Sequence, residues 1–163
     1  MQNKEEIFSA LITRDLGMLR SAAYRILGDQ TEVDDAVQEA LLVAWNKYSQ
    51  FRAEAEFSSW VYRITINQCC DRLRKRKREA AKLKAYAENK ALDPAPDANE
   101  QLDRLMEAIA ELPGIYRDSI FVGVLGGFPA EQAAGILQCC VNTLYQRIHK
   151  AKKLLRKKLE VAI

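Results

Sequence analysis

The stretch ILQCCVNTLYQRIHKAKKLLRKK, residues 136–158, places two adjacent cysteines, the single histidine and a run of bases on one expected helix. Its apolar residues organise it. Val141, Leu144, Ile148, Ala151 and Leu155 recur at the three- and four-residue spacing of one helix face, which predicts a core stripe. Asn142, Gln146, His149, Lys150 and Lys153 fall on the other side, with Tyr145 at the flank. Upstream lies PAEQAAGIL, a short helix that Pro129 can start, because the fixed φ and missing N–H of proline suit a first turn.

Helix, turn of three or four residues and basic helix are the parts of a helix-turn-helix, whose second helix enters the major groove with its N-terminal residues against base edges. Gln146 suits a bidentate contact with adenine, and Lys150 suits guanine or phosphate. A metal site needs three or four converging ligands. Here one histidine stands well round the helix from Leu144, and Cys139 and Cys140 fall in the turn, so no metal and no cofactor is expected. At least one cysteine of each pair, Cys69/Cys70 and Cys139/Cys140, reads as a small buried apolar side chain. Adjacent cysteines rarely bridge, and no neighbour in the sequence clearly lowers a thiol pKa.

Outside this stretch the charge is segregated. Residues 71–84 carry a net +6 and residues 147–158 a net +7, in a chain of 163 residues whose net charge is +3, which leaves −10 for the rest. Two basic patches on an acidic body point to a polyanion such as nucleic acid, since solvated helix faces normally mix both signs. The N-terminus MQNKEEIFSALITRDL has no signal-peptide core, and no window reaches the roughly 20 apolar residues of a membrane span. A cytoplasmic protein without membrane insertion is expected.

The remaining pattern is helical, with no alternating strand runs. Gly28-Asp29 ends a first helix, and Thr31 with EVDDAVQEALLVAWNKY opens a second, whose buried stripe is Val37, Leu41, Ala44 and Tyr48. A loop, SQFRAEAEF, leads to Ser58 as N-cap of SSWVYRITINQCCDRLRKRKR, of which only the basic end is expected to be wholly solvated. Residues 85–101, small and acidic with Pro94 and Pro96, read as a flexible linker. The expected fold is all-α: two small helical domains, 1–84 and 102–163, the second a helix-turn-helix domain.

Taken together, YRILGDQTEVDDAVQEALLVAWNKYSQF, FSSWVYRITINQCCDRLRKRKR and LPGIYRDSIFVGVLGGFPAEQAAGILQCCVNTLYQRIHKAKKLLRKKL resemble the bacterial RNA polymerase sigma factors of the extracytoplasmic-function (ECF) type. The resemblance runs nearly end to end. It implies a transcription initiation factor, not an enzyme, that binds core RNA polymerase and promoter DNA and takes no small-molecule substrate. Its first domain would hold the polymerase through Asp34, Asp35, Gln38, Glu39, Leu42 and Asn46. The loop over residues 49–56 and the helix after it would capture the minus-10 element, with Trp60, Arg63, Asn67, Asp71, Arg72, Arg74, Lys75 and Arg76 as contacts. The second domain would read the minus-35 element with Asn142, Thr143, Tyr145, Gln146, Arg147, His149, Lys150 and Lys153. An anti-sigma factor is an expected partner, and the linker acids Glu88, Asp93, Asp97 and Glu100 would enter a basic channel of the polymerase.

Against this pattern, Gln138 stands where the family often has the glycine of a left-handed turn, Cys140 where a serine cap is frequent, Tyr145 where a base is usual and Pro129 where a serine cap is common. A stand-alone helix-turn-helix regulator is the alternative, but it leaves residues 31–84 without a task.

Overall fold

A computed structural model describes residues 3–87 and 97–161. Among these residues every regular element is helical: α1 (Lys4–Leu27), α2 (Gln30–Asn46), α3 (Phe57–Tyr86), α4 (Ala98–Ala110), α5 (Gly114–Gly123), α6 (Ala130–Ile136) and α7 (Val141–Val161), with one 3-10 turn at Tyr48–Gln50. None of these helices is long and apolar enough to cross a membrane.

Local chemistry sets the boundaries. Gly28, at φ 71°, ends α1 in the left-handed conformation that glycine adopts without a Cβ clash, and its N–H reaches the Tyr24 carbonyl at 2.9 Å. Asp29 does not close α1 but caps α2, its Oδ1 accepting the Glu32 N–H at 2.9 Å. The start of α3 is two residues earlier than expected: Glu56 is the N-cap, and Ser58 is buried in the first turn. Phe57 explains the shift. Its ring must enter the cluster made by Phe8, at 5.0 Å, and Tyr48, at 5.8 Å, so packing outweighs the better capping side chain.

Helices α1, α2 and α3 wrap one core containing Phe8, Leu19, Val33, Val37, Ala44, Val61 and Ile66. Leu41 and Tyr48 complete the expected α2 stripe as half-buried neighbours of that core. In the second half, α7 lies across α4, α5 and α6, and Leu144, Ile148, Ala151 and Leu155 are buried as the spacing predicts. Val141 is half-buried at the edge.

Of the stretch expected as linker, residues 85–86 end α3 and residues 98–101 begin α4. Asp97 is the N-cap of α4, its Oδ1 accepting the Glu100 N–H at 2.8 Å, and Glu100 sits in the first turn where the helix dipole favours an acid. Two of the four acids assigned to a polymerase channel therefore serve helix initiation; Glu88 and Asp93 lie outside the described residues.

The two halves are docked. Helix α3 packs against α4 and α5, and α1 reaches the turn before α6 through Arg25, which donates to the carbonyls of Leu125 at 3.1 Å and Gly126 at 3.0 Å.

Candidate nucleic-acid and polymerase interface

The helix-turn-helix is formed by α6, the turn over residues 137–140 and α7. Gln138 adopts φ 54°, the left-handed conformation expected at this position, which costs a side-chain-bearing residue roughly 1–2 kcal/mol. Its N–H bonds to the Gly135 carbonyl at 3.2 Å, and the Cys139 N–H to Ala134 at 3.0 Å, so the reversal is closed by backbone bonds that offset the strain. Gln138→Gly is accordingly expected to raise stability by about 1 kcal/mol. A urea midpoint that stays put or falls would show that the turn is unstrained.

Beyond the turn, α7 presents Asn142, Tyr145, Gln146, His149, Lys150 and Lys153 to solvent, with Tyr145 58% exposed. Thr143 and Arg147 are half-buried at the margin of this face. The outward residues form one polar and basic strip because the apolar stripe fixes the rotation of the helix.

Cys140 is exposed at the start of α7, with Sγ 3.1 Å from Thr143 Oγ1. The Thr143 hydroxyl, then its backbone N–H, holds the Cys140 thiol below its ordinary pKa. A cysteine thus occupies the cap position and does part of the work of a serine, and Thr143, three residues on, is the neighbour that lowers its pKa. Burial instead pushes Cys69 and Cys70 up to about 12. Iodoacetamide near neutral pH is therefore expected to label Cys140 first and leave Cys69 and Cys70 intact until the chain unfolds, as peptide mapping would show. Early labelling of Cys69 would contradict the core. No group of three or more His, Cys, Asp or Glu able to hold a metal occurs among the described residues.

On α3 the expected residues divide. Trp60 is half-buried, its ring 5.3 Å from Phe51 and 5.7 Å from Phe57, at the foot of the loop over residues 49–56. Within that loop Ala53 takes φ 56°, a strain with no signal in the sequence. Asn67, Asp71 and Lys75 are exposed. The guanidinium groups are not free as expected for a solvated basic end. Arg72 bonds Glu39 of α2 at 2.8 Å, Arg76 bonds Glu32 of α2, and Arg74 bonds Asp71. Acids of α2 one strip away in space neutralise Arg72 and Arg76, a pairing that helical phase within α3 alone does not reveal, whereas the partner of Arg74 lies one turn back on α3 itself. Lys75 and Arg78 remain exposed.

On α2, Asp35, Gln38, Glu39, Leu42 and Asn46 are all exposed on the face opposite the core stripe. Leu42 is 62% exposed. Asp34 is half-buried and paired with Arg20 at 2.8 Å, so it is a brace between α2 and α1 more than part of the open face.

Residues 11–79 match the family Sigma-70 region 2, and residues 102–155 match Sigma-70, region 4. The chain is 30% identical over 138 residues to the ECF RNA polymerase sigma factor EcfG of Rhodopseudomonas palustris, spanning 84% of this chain and 76% of that one. The chain belongs to the ECF RNA polymerase sigma factors. This sigma factor is a transcription initiation factor that directs RNA polymerase to promoters. It is also 27% identical over 168 residues to SigW of Bacillus subtilis, covering 95% of this chain and 90% of that relative. In structure it is similar to the sigma factor RpoE of Bartonella quintana, solved in complex with the anti-sigma factor NepR, at TM-score 0.54 and 28% identity over 94% of this chain and 97% of that one. A second neighbour is CnrH, solved with the cytosolic domain of CnrY, at TM-score 0.52 and 25% identity over 98% and 90% of the two chains.

Proposed function

We propose that this sigma factor divides promoter recognition between its halves, with residues 1–84 holding core polymerase and the minus-10 element and residues 102–163 reading the minus-35 element. The carrying observation is the split of α7 into a buried stripe and an outward strip of Asn142, Gln146, His149, Lys150 and Lys153. The N-terminal half of that strip carries amide and phenol groups suited to base edges, while its C-terminal half carries cations suited to phosphate.

Opening the minus-10 duplex costs several kcal/mol, and capture of an extruded base offsets that cost. The loop over residues 49–56 with Phe51, Trp60 and Asn67 supplies the aromatic and polar groups for such capture, and Lys75 with Arg78 supplies phosphate contacts that fade with salt. The outward face of α2 centred on Leu42 meets the polymerase. The chain's own part is binding, the polymerase providing the chemistry, so it is no enzyme and works in the cytoplasm beside polymerase and DNA. The neighbour RpoE was solved in complex with an anti-sigma factor, which supports an anti-sigma partner for this chain.

Promoter-specific run-off transcription with reconstituted holoenzyme tests this reading. Gln146→Ala is expected to relax preference at one or two upstream base pairs, by about 1–3 kcal/mol, whereas Lys153→Ala weakens binding to all DNA alike. Equal loss on every sequence from both variants would sink the groove assignment.

A further inference from the structure

The bases of α3 divide by what holds them. Arg74 and Lys77 face the second half, where Arg74 donates to the Ala110 carbonyl at 2.8 Å and Lys77 pairs with Glu111. Beside them Arg117 of α5 donates to Asn67 Oδ1, and Phe128 meets Tyr62 edge-on. Lys75 and Arg78 are exposed. Arg72 and Arg76 are taken by α2: Arg76 pairs with Glu32, and Arg72 with Glu39 at 2.8 Å.

The Arg72–Glu39 pair joins two surfaces with different tasks. Glu39 lies on the outward face of α2, three residues before Leu42, whereas Arg72 belongs to the strip of α3 assigned to the minus-10 strand. The contact is built to be exchanged. The Glu39 side chain is 52% exposed, and an ion pair so open to water is weak. The Arg72 guanidinium is held at one end only: a terminal nitrogen donates to Glu39, while Nε is buried with no acceptor among the described residues. A guanidinium binds an anion best through two parallel N–H groups, so this single bond gives Arg72 less than a phosphate would once the side chain turns outward.

We propose that Glu39 changes partners on docking. In the free chain it holds Arg72; at the polymerase it turns to a lysine or arginine seated beside Leu42, which frees Arg72 for a phosphate of the opened strand. The proposal rests on the assignment of α2 to the polymerase and of α3 to the minus-10 element. Docking around Leu42 takes Glu39 out of water, and a buried carboxylate needs a charged partner. Were Arg72 to remain that partner, it would be lost to DNA. The coupling runs both ways: a group that occupies Glu39 strengthens DNA binding, and one that occupies Arg72 strengthens polymerase binding, by the same factor.

The test uses the full chain with Glu39→Gln and Arg72→Gln, surface changes that remove one charge each and keep the side-chain stem. Free Glu39→Gln is expected to bind a labelled random-sequence 20-nucleotide single strand about fivefold tighter in fluorescence anisotropy, as Arg72 goes from free in roughly one chain in five to free in all. Its slope of log affinity against log salt should steepen by about 0.7, the mark of one more phosphate contact on a single strand. Glu39→Gln/Arg72→Gln should lose that gain. Reciprocally, Arg72→Gln should bind immobilised core polymerase about fivefold tighter in surface plasmon resonance, because Glu39 is no longer held. Glu5→Gln removes the same charge from α1 and should leave both assays within about twofold, since screening confines the effect of a distant charge. A wild-type salt slope in Glu39→Gln, a DNA gain that survives in the double variant, or polymerase binding by Arg72→Gln that is unchanged or weaker each overturns the exchange. Leu42→Arg and Asn67→Ala leave the pair intact and report separately on the two assignments, so failure of the exchange is told apart from failure of the reading beneath it.

Discussion

Leu42→Arg is expected to lower affinity for core polymerase by about 30-fold or more while leaving helix content and thermal midpoint unchanged. The side chain is 62% exposed in the middle of α2, one turn from Gln38 and one turn from Asn46, so its loss removes nothing from the core. An apolar residue ringed by polar groups is the geometry of an interface anchor, and truncating or charging such an anchor costs about 2 kcal/mol or more, which converts to that factor. The seat is rigid: Val33, Val37 and Ala44 beneath are buried, and Asp34 ties α2 to α1. Surface plasmon resonance against immobilised core enzyme measures the effect. Unchanged affinity would move the polymerase contact off α2.

Leu144→Ala is expected to destabilise the second half by about 3 kcal/mol, a large share of the roughly 5–15 kcal/mol that a domain possesses. Leu144 is 1% exposed, where α7 crosses α5. A Cβ added at Gly123 would lie 3.1 Å from Leu144 Cδ1 and 3.0 Å from Ile148 Cδ1, so the absence of a side chain on α5 is what lets α7 approach. Shortening Leu144 leaves a void that this close backbone contact cannot collapse to fill. The strip of Asn142, Gln146 and Lys150 would lose its seat with it. Urea denaturation followed by circular dichroism gives the number; a loss below about 1 kcal/mol would mean that α7 is anchored elsewhere.

How much of this was legible depended on whether the deciding forces are local. The α7 stripe was, since period alone separates Leu144 and Ile148 from Gln146 and Lys150. So was the left-handed turn at Gln138, through the resemblance, since the family often has glycine at that place. The start of α3 was not, since Phe57 answers to a ring on α1 about 50 residues away in sequence. Likewise Arg72 and Arg76 read as free bases because Glu39 and Glu32, which hold them, sit on another helix. Docking of the two halves had no local signal at all: Arg25, Arg117 and Phe128 look like ordinary surface residues until the chain folds.

Transcript starts mapped on genomic DNA with reconstituted holoenzyme test the division of labour most directly, using wild type, Gln146→Ala and Asn67→Ala. Wild type should yield starts preceded by two sequence blocks at fixed spacing, Gln146→Ala should change the upstream block alone, and Asn67→Ala the downstream block alone. Starts that lack two blocks, or two variants that alter the same block, would contradict it.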